Sequence, residues 1–459
     1  MKQQTASQYE KMINTDVAPL IARLCVPSIL TMLVTNIYNL ADTAFVGRLG
    51  TSASGAVGVV FGFMTMIQAI GFVFGQGAGS IIARLLGQQE NEKATVTAST
   101  GFFFSFGFGV LLSIVSWLLL DPLVMLLGST PTIASYAKIY ISYILAATPF
   151  MSASFTMNQI LRYEGKAALG MIGMMTGGIL NIIGDPILMF VFKMGIAGAG
   201  LSTALSQMAG FCILLGIYIR GKSVCRITWR KVSFDRKQIL DILATGLPSL
   251  LRQGLNSVTT MVLNGQAAVY GDAAIAAMSI VNRIIHFIFS IALGIGHGFQ
   301  PVSGFNYGAG RYSRVRKAFR VTVIMAETFV SVSVVFLIIW SGSLIGLFRD
   351  DPDVIAIGTR ALRVQGLSLL LLPMSMATEM LYQSTGQKLG ASVLSLLRGG
   401  LIFIPSILIL ARLRGLHGIE EAQAVAFAGA FLPSILFMWR LFRKMPEKDT
   451  AADPPKAVP

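Results

Sequence analysis

Two aspartates, Asp42 and Asp185, stand inside long apolar stretches of the sequence. Asn181 precedes Asp185 by one helical turn, so the two would share a helix face. Thr203 lies in the next apolar stretch, at a similar distance from its end. Burial disfavours the charged form of a carboxylate, and a second carboxylate beside it adds to the cost. Such a pair can take a proton near neutral pH. It can equally hold Na⁺, with Asn and Thr oxygens completing the shell. Charge placed in hydrocarbon is expensive, which makes these residues functional candidates. Pro186 follows Asp185 and should kink its helix, freeing a carbonyl near the acid. Thr31, Thr35, Tyr38, Asn39 and Asp42 share one face of a helical wheel, a polar stripe able to line a cavity. Glu327, Glu379, Arg252, Arg283 and Arg398 also fall in apolar context, where internal Glu–Arg pairing is the plain expectation. His286, His297 and His417 have no ligand partner at metal spacing, and no nucleophile–base set accompanies them.

The elements that must hold these residues are membrane helices. Hydrophobic residues make up 54% of the 459 residues and charged ones only 12%. The mean hydropathy is +0.70. So few charges cannot cover a soluble surface, and a bilayer must solvate most of the chain. The net charge of +15 sits in short clusters between apolar runs, not on one face, which argues against nucleic acid as a partner. Spans are predicted near 18–47, 54–84, 94–120, 133–161, 167–192, 196–220, 238–269, 274–304, 318–341, 354–384, 388–411 and 416–440. No strand-like alternation recurs. Most Lys and Arg fall on one side of this arrangement, above all between Arg220 and Lys237 and between Arg311 and Arg320. The positive-inside rule then puts both termini in the cytoplasm, which requires an even number of spans. The first sixteen residues hold no apolar stretch and do not read as a cleavable signal, and the Pro-rich tail is expected to be disordered. Cys25, Cys212 and Cys225 lack disulfide or metal spacing and read as small apolar fillers.

The chain also repeats itself at an offset of 221. Pro27 and Ser28 meet Pro248 and Ser249; Gly50, Gly75, Gly77 and Gly87 meet Gly271, Gly296, Gly298 and Gly308; Gly165 meets Gly386. A duplicated six-span unit explains this, with both halves in the same orientation about an axis along the membrane normal. The division expected is a cytoplasmic segment 1–16, an N-lobe 17–220, a basic linker 221–237, a C-lobe 238–445 and a tail 446–459. Gly71, Gly75 and Gly79, and again Gly294 and Gly298, carry the small-residue spacing of close helix packing. Residues 216–223, GIYIRGKS, match a phosphate-loop pattern, but that loop needs a preceding strand, and here a membrane span precedes it.

The stretches YNLADTAFVGRLG (38–50), NIIGDP (181–186) and GIAGAGLSTALSQ (195–207), with the repeated Pro–Gly pattern, resemble the multidrug and toxic-compound extrusion (MATE) family over about residues 15–445. The resemblance implies an all-α integral membrane protein with twelve helices in two pseudo-symmetric six-helix bundles around a central cavity. It implies export of organic cations in exchange for H⁺ or Na⁺, with no cofactor and no ATP hydrolysis. Asp42, Asn181, Asp185 and Thr203 match the coupling cluster of the DNA-damage-inducible-type branch, and Tyr38 and Asn158 match positions of its polar cavity. Other branches use C-lobe acids, a part Glu379 could play. The span-seven acid that accompanies it in those branches has no match here, and the uncharged Gln253 and Asn256 stand nearby instead, so the N-lobe site is favoured. Thr35, Tyr38, Asn39, Asn158, Gln253, Asn256 and Glu379 are thus expected to line the substrate cavity. The reading is of a bacterial inner-membrane antiporter, monomeric, with small organic cations and membrane lipid as partners. The alternative is a flippase for lipid-linked precursors, which would need the cavity to be basic; Arg252, Arg283 and Arg398 leave that open.

Overall fold

The structure, a computed structural model, describes residues 2–450. Among them there is no strand. A polar helix α1 (Lys2–Asn14) precedes the first half: α2 (Val17–Gly47), α3 (Thr51–Gly87), α4 (Asn91–Leu118), a short α5 (Leu120–Leu126), α6 (Pro131–Tyr163), α7 (Ala167–Pro186) and α8 (Ile196–Ile219). The second half runs α9 (Arg236–Ala268), α10 (Asp272–Gly308), α11 (Tyr312–Phe348), α12 (Pro352–Ser368) with α13 (Leu372–Ser384), α14 (Lys388–Leu396) with α15 (Phe403–Arg414), and α16 (Leu416–Lys444). The last two pairs are single spans interrupted by a tight turn at Leu369–Leu371 and a wide π turn at Leu397–Leu401. The predicted spans fall on these helices; α1 and α5 were not anticipated.

Among the described residues, eleven helices are long and apolar enough to cross a membrane. The twelfth is α9, of 33 residues, whose Arg252, Gln253, Asn256 and Gln266 keep it below that apolarity. It stands in the repeat where α2 stands in the first half. Helices such as α3, α10 and α11 have 37 residues each, a rise of ~55 Å against ~30 Å of hydrocarbon, so they tilt or project. Pro149 has no N–H for the Leu145 carbonyl, which accepts instead from the Ser113 hydroxyl of α4 at 2.7 Å.

The repeat is visible in the backbone. Gly50 and Gly271 have φ of 117° and 90°, and Gly165 and Gly386 have 77° and 83°. These left-handed turns favour glycine and recur at the sequence offset of 221.

The chain divides into two compact units, Met1–Lys11 with Val26–Leu250, and Met12–Cys25 with Leu251–Pro459. This differs from the division expected at 17–220, 221–237 and 238–445. The start of α2 belongs with the second unit, and the start of α9 with the first. Glycines explain the grouping. A methyl on Gly77 would lie 2.1 Å from the Ile242 carbonyl oxygen, so α3 and the start of α9 meet backbone to backbone. A methyl on Gly298, the repeat partner of Gly77, would lie 2.7 Å from the Cys25 nitrogen. Nor is the linker a free joint. Buried Glu164 accepts from the Ser223 hydroxyl and from the Val224 and Cys225 amides. Ser99 and Thr100 of α4 accept from the Thr228 and Ser233 amides. The tail expected from residue 446 is pinned at its start: Asp449 accepts from the Ser313 amide and hydroxyl, capping α11, and Arg316 donates to the carbonyls of Met445 and Pro446. Residues 451–459 lie outside the described residues.

Gly71, Gly75 and Gly79 form the small-residue seam expected of them. Methyls there would lie 2.5 Å from Phe155 Cβ, 2.8 Å from Gln159 Cβ and 2.2 Å from Tyr163 Cδ2, all on α6. Gly77→Ala is expected to lower stability by about 1–3 kcal/mol, because the obstructing atom is backbone and cannot rotate away. Gly107→Ala, with nothing within 4 Å of the added methyl, should be neutral or stabilising by up to ~1 kcal/mol. Thermal unfolding of the two variants in one detergent checks the contrast; equal melting points would contradict the close approach.

Candidate functional site

α2 meets α7 where Gly178 leaves room for Tyr38. A methyl on Gly178 would lie 3.3 Å from the Tyr38 ring. Further along both helices, Asp42 comes up to Asp185. Asp42 is 8% exposed, Asp185 0%, Asn181 1% and Thr203 2%. The Asn181 amide donates to Asp185 Oδ1 at 3.1 Å and to Thr203 Oγ1 at 3.1 Å. The Tyr140 hydroxyl of α6 donates to Asp42 Oδ2 at 3.1 Å. The carboxyl groups of Asp42 and Asp185 interact directly. Four helices therefore bring their polar groups to one buried point. Ser202 donates to the Asn181 carbonyl and fixes α8 against α7.

Three oxygens at this point, Asp42 Oδ1, Asp185 Oδ2 and Asn181 Oδ1, are buried and accept from no donor. A buried acceptor left unpaired costs about 1–3 kcal/mol. A proton on one carboxyl would pair two of them through an O–H···O bond, and a small hard cation could be ligated by all three. The described residues contain no cluster of three or more His, Cys, Asp and Glu. The donor set, two carboxylates with amide and hydroxyl oxygens, suits Na⁺ or H⁺ and not a transition metal. Toward the far end of the helices an apolar seal closes the site: Val46, Met189, Ala199 and Ala137 are buried about one turn beyond Asp42, Asp185, Thr203 and Tyr140 respectively. Pro186 does alter α7, as expected. It has no N–H for the Ile182 carbonyl, and the helix continues as a π turn, Ile187–Val191.

Of the polar stripe on α2, Tyr38 joins the cluster and lies against Gln207 of α8. Thr35 and Asn39 are half-buried beside it, and the Thr35 hydroxyl is turned back onto the Thr31 carbonyl. Asn158 is not brought to the site. It packs against Gly170 at the opposite end of α7, and α6 rises ~27 Å between Tyr140 and Asn158. Tyr140, Ser202 and Gln207 were missed by the sequence reading. A tyrosine with its hydroxyl inside a span was the available signal for the first.

In the second unit, Glu379 is 1% exposed and lies between two guanidiniums, 2.9 Å from Arg252 and 2.9 Å from Arg398. Arg398 sits on the π turn and over the Phe289 ring, 5.7 Å from its centroid. Gln253 and Asn256 stand on α9 at half-buried and exposed positions. Arg283 is exposed, and Glu327 is half-buried with no ion pair among the described residues.

Tyr140→Phe removes the single donor to Asp42 Oδ2 without changing volume. A hydrogen bond to a charged group contributes about 1.5–3 kcal/mol, so transport should slow about tenfold or more. Export rates of Y140F, D42N and the double variant check this. The tyrosine should add nothing once Asp42 is gone, and additive losses would place its effect elsewhere.

Comparison with known proteins follows the same lines. The multidrug export protein MepA of Staphylococcus saprophyticus is 28% identical over 417 residues, 91% of this chain and 92% of that protein. MepA of Staphylococcus aureus strain NCTC 8325 is 29% identical over 424 residues, 90% of this chain and 92% of that one. Among solved structures, a MATE protein in a bent conformation matches with a TM-score of 0.88 at 27% identity, covering 95% of this chain and 97% of that one. An outward-facing multidrug resistance MATE transporter of the MOP superfamily matches with a TM-score of 0.87 at 27% identity, covering 94% and 97%. The MatE family profile matches twice, at residues 27–187 and 248–408, a displacement of 221 at both ends. Twelve helices in two related halves, each matched over most of its length, establish that this chain is a transporter belonging to the MatE family.

Proposed function

We propose that the chain is a secondary multidrug antiporter, exporting cationic amphipathic compounds in exchange for H⁺ or Na⁺, with Asp42, Asn181, Asp185 and Thr203 as the coupling site. The observation that carries the reading is that three buried oxygens of this cluster, Asp42 Oδ1, Asp185 Oδ2 and Asn181 Oδ1, accept from no donor. Two like charges 4 Å apart repel by about 4 kcal/mol at an effective dielectric of 20. The pair is therefore unlike any structural ion pair: it is satisfied only by taking something up. Loading with H⁺ or Na⁺ cancels the repulsion and draws α2 toward α7 and α8. Release restores it. An element with two such arrangements can couple ion flow to alternating access. The π turn after Asp185 gives α7 the freedom to follow, because its hydrogen-bond ladder is already interrupted there.

With both termini cytoplasmic, as the distribution of Lys and Arg favours, the ion enters along its inward gradient and the compound leaves. Purified protein in liposomes, preloaded with a fluorescent organic cation, tests this under separately imposed proton and sodium gradients. Efflux driven by one of the two supports the proposal and names the ion. No efflux under either gradient would refute it. The alternative, a lipid-precursor flippase, needs basic groups free to meet a pyrophosphate. Arg252 and Arg398 are both engaged by Glu379, which weighs against it.

A further inference from the structure

The basic end of the first unit carries a groove that the coupling site does not use. It has a volume of about 410 Å³ and lies between the first turns of α7 and the last turns of α8. Leu169 and Ile172 form one wall and Cys212 and Ile213 the other, and the groove closes on Arg220 and Lys222. The apolar part opens outward: Ile172 is 48% exposed and Cys212 is exposed. We infer that this groove binds an anionic phospholipid, with acyl chains against the apolar walls and the headgroup phosphate on Arg220 and Lys222.

Three observations lead there. The first is depth. α8 has 24 residues, a rise of ~36 Å, little more than the ~30 Å of hydrocarbon. Nearly the whole helix is needed to cross, so Arg220, which follows it directly, stands at headgroup level. The second is charge. Lys166 caps α7 and donates to the Lys222 carbonyl, bringing a third cation to the same end. Glu164 is the acid beside them, and its oxygens are turned into the protein, onto Ser223, Val224 and Cys225. The third is the backbone of the segment GIYIRGKS. Its Gly221 and Lys222 amides donate to the Tyr218 and Ile217 carbonyls, so they cannot cradle a nucleotide phosphate. The cationic side chains Arg220 and Lys222 remain exposed, above an apolar slot. A phosphate that arrives attached to acyl chains fits both halves of that surface.

Native mass spectrometry of the purified protein, titrated with phosphatidylglycerol or with phosphatidylcholine of the same chains, tests the inference. Phosphatidylglycerol should be retained about tenfold more tightly, and Arg220→Gln with Lys222→Gln together should erase the preference. Cys212 offers a second readout. It is the exposed one of the three cysteines, so phosphatidylglycerol should slow its reaction with a lipophilic maleimide and the double variant should react at the phosphatidylcholine rate. Both replaced side chains are exposed, and an unchanged melting temperature in phosphatidylcholine establishes that the variant is folded. Equal retention of the two lipids, or undiminished preference in the double variant, would overturn the site. Neither result depends on whether Asp42 and Asp185 couple transport.

Discussion

Asp42→Asn is expected to abolish gradient-driven export while leaving the amount of folded protein unchanged. Asparagine keeps the shape of the side chain and can still meet Tyr140, so packing among α2, α6, α7 and α8 survives. What it loses is charge. With one carboxylate in place of two, the repulsion that loading must relieve is gone. The variant should hold or gain stability, since a buried carboxyl group with an unpaired oxygen is replaced by an amide. Loss of transport with equal or higher melting temperature is therefore the signature. The measurement is cation efflux from liposomes, paired with unfolding of the same preparation. The rate should fall at least about tenfold, the equivalent of ~1.4 kcal/mol in coupling free energy. Full activity in D42N would end the proposed mechanism.

Glu379→Gln should act in the opposite way, on folding more than on exchange. Glu379 balances Arg252 and Arg398, each about nine-tenths buried or more. Without the carboxylate two guanidiniums face each other with no anion between them. Removing one partner from a buried ion pair costs about 3–5 kcal/mol, which corresponds to a fall in melting temperature of roughly 10 °C. Arg398→Gln should cost less, because the Arg252–Glu379 pair is left intact and the Phe289 face loses only a stacked cation. The order of the two melting temperatures is the test. If E379Q unfolds within about 1 °C of the parent, the arginines are solvated and Glu379 is not their structural counter-charge.

Much of the architecture could be read in advance because a bilayer imposes one length on every span. That rule located the helices, and a shared depth from the span ends drew Asp42, Asn181, Asp185 and Thr203 together before any fold was known. Asn158 came from the family resemblance and not from depth; it lies late in α6, against Gly170 at the start of α7 and far along the helix from Tyr140. Tyr140 itself gave little warning, since a tyrosine within a span is as often a packing residue as a hydrogen-bond donor. The Arg252–Glu379–Arg398 triad was legible only as residue types. Its members come from one span and, more than a hundred residues on, two consecutive spans, and only packing shows that two cations share one acid. The exchange of helix starts between units was hidden for another reason. It depends on two glycines allowing backbones to touch, and glycine in a membrane span has many other uses.

The wide turns at Ile187–Val191 and Leu397–Leu401 lie in equivalent spans, each beside a buried ionisable group. The one follows Asp185, the other contains Arg398. Each such turn leaves main-chain dipoles uncommitted, able to solvate an ion where water is scarce. The sign of that ion has diverged: acids gather in one copy, surplus guanidinium in the other. Displaced by 221, Ile187–Val191 would fall at 408–412, past Leu397–Leu401, so the two copies interrupt the same span at different depths and set their charges apart.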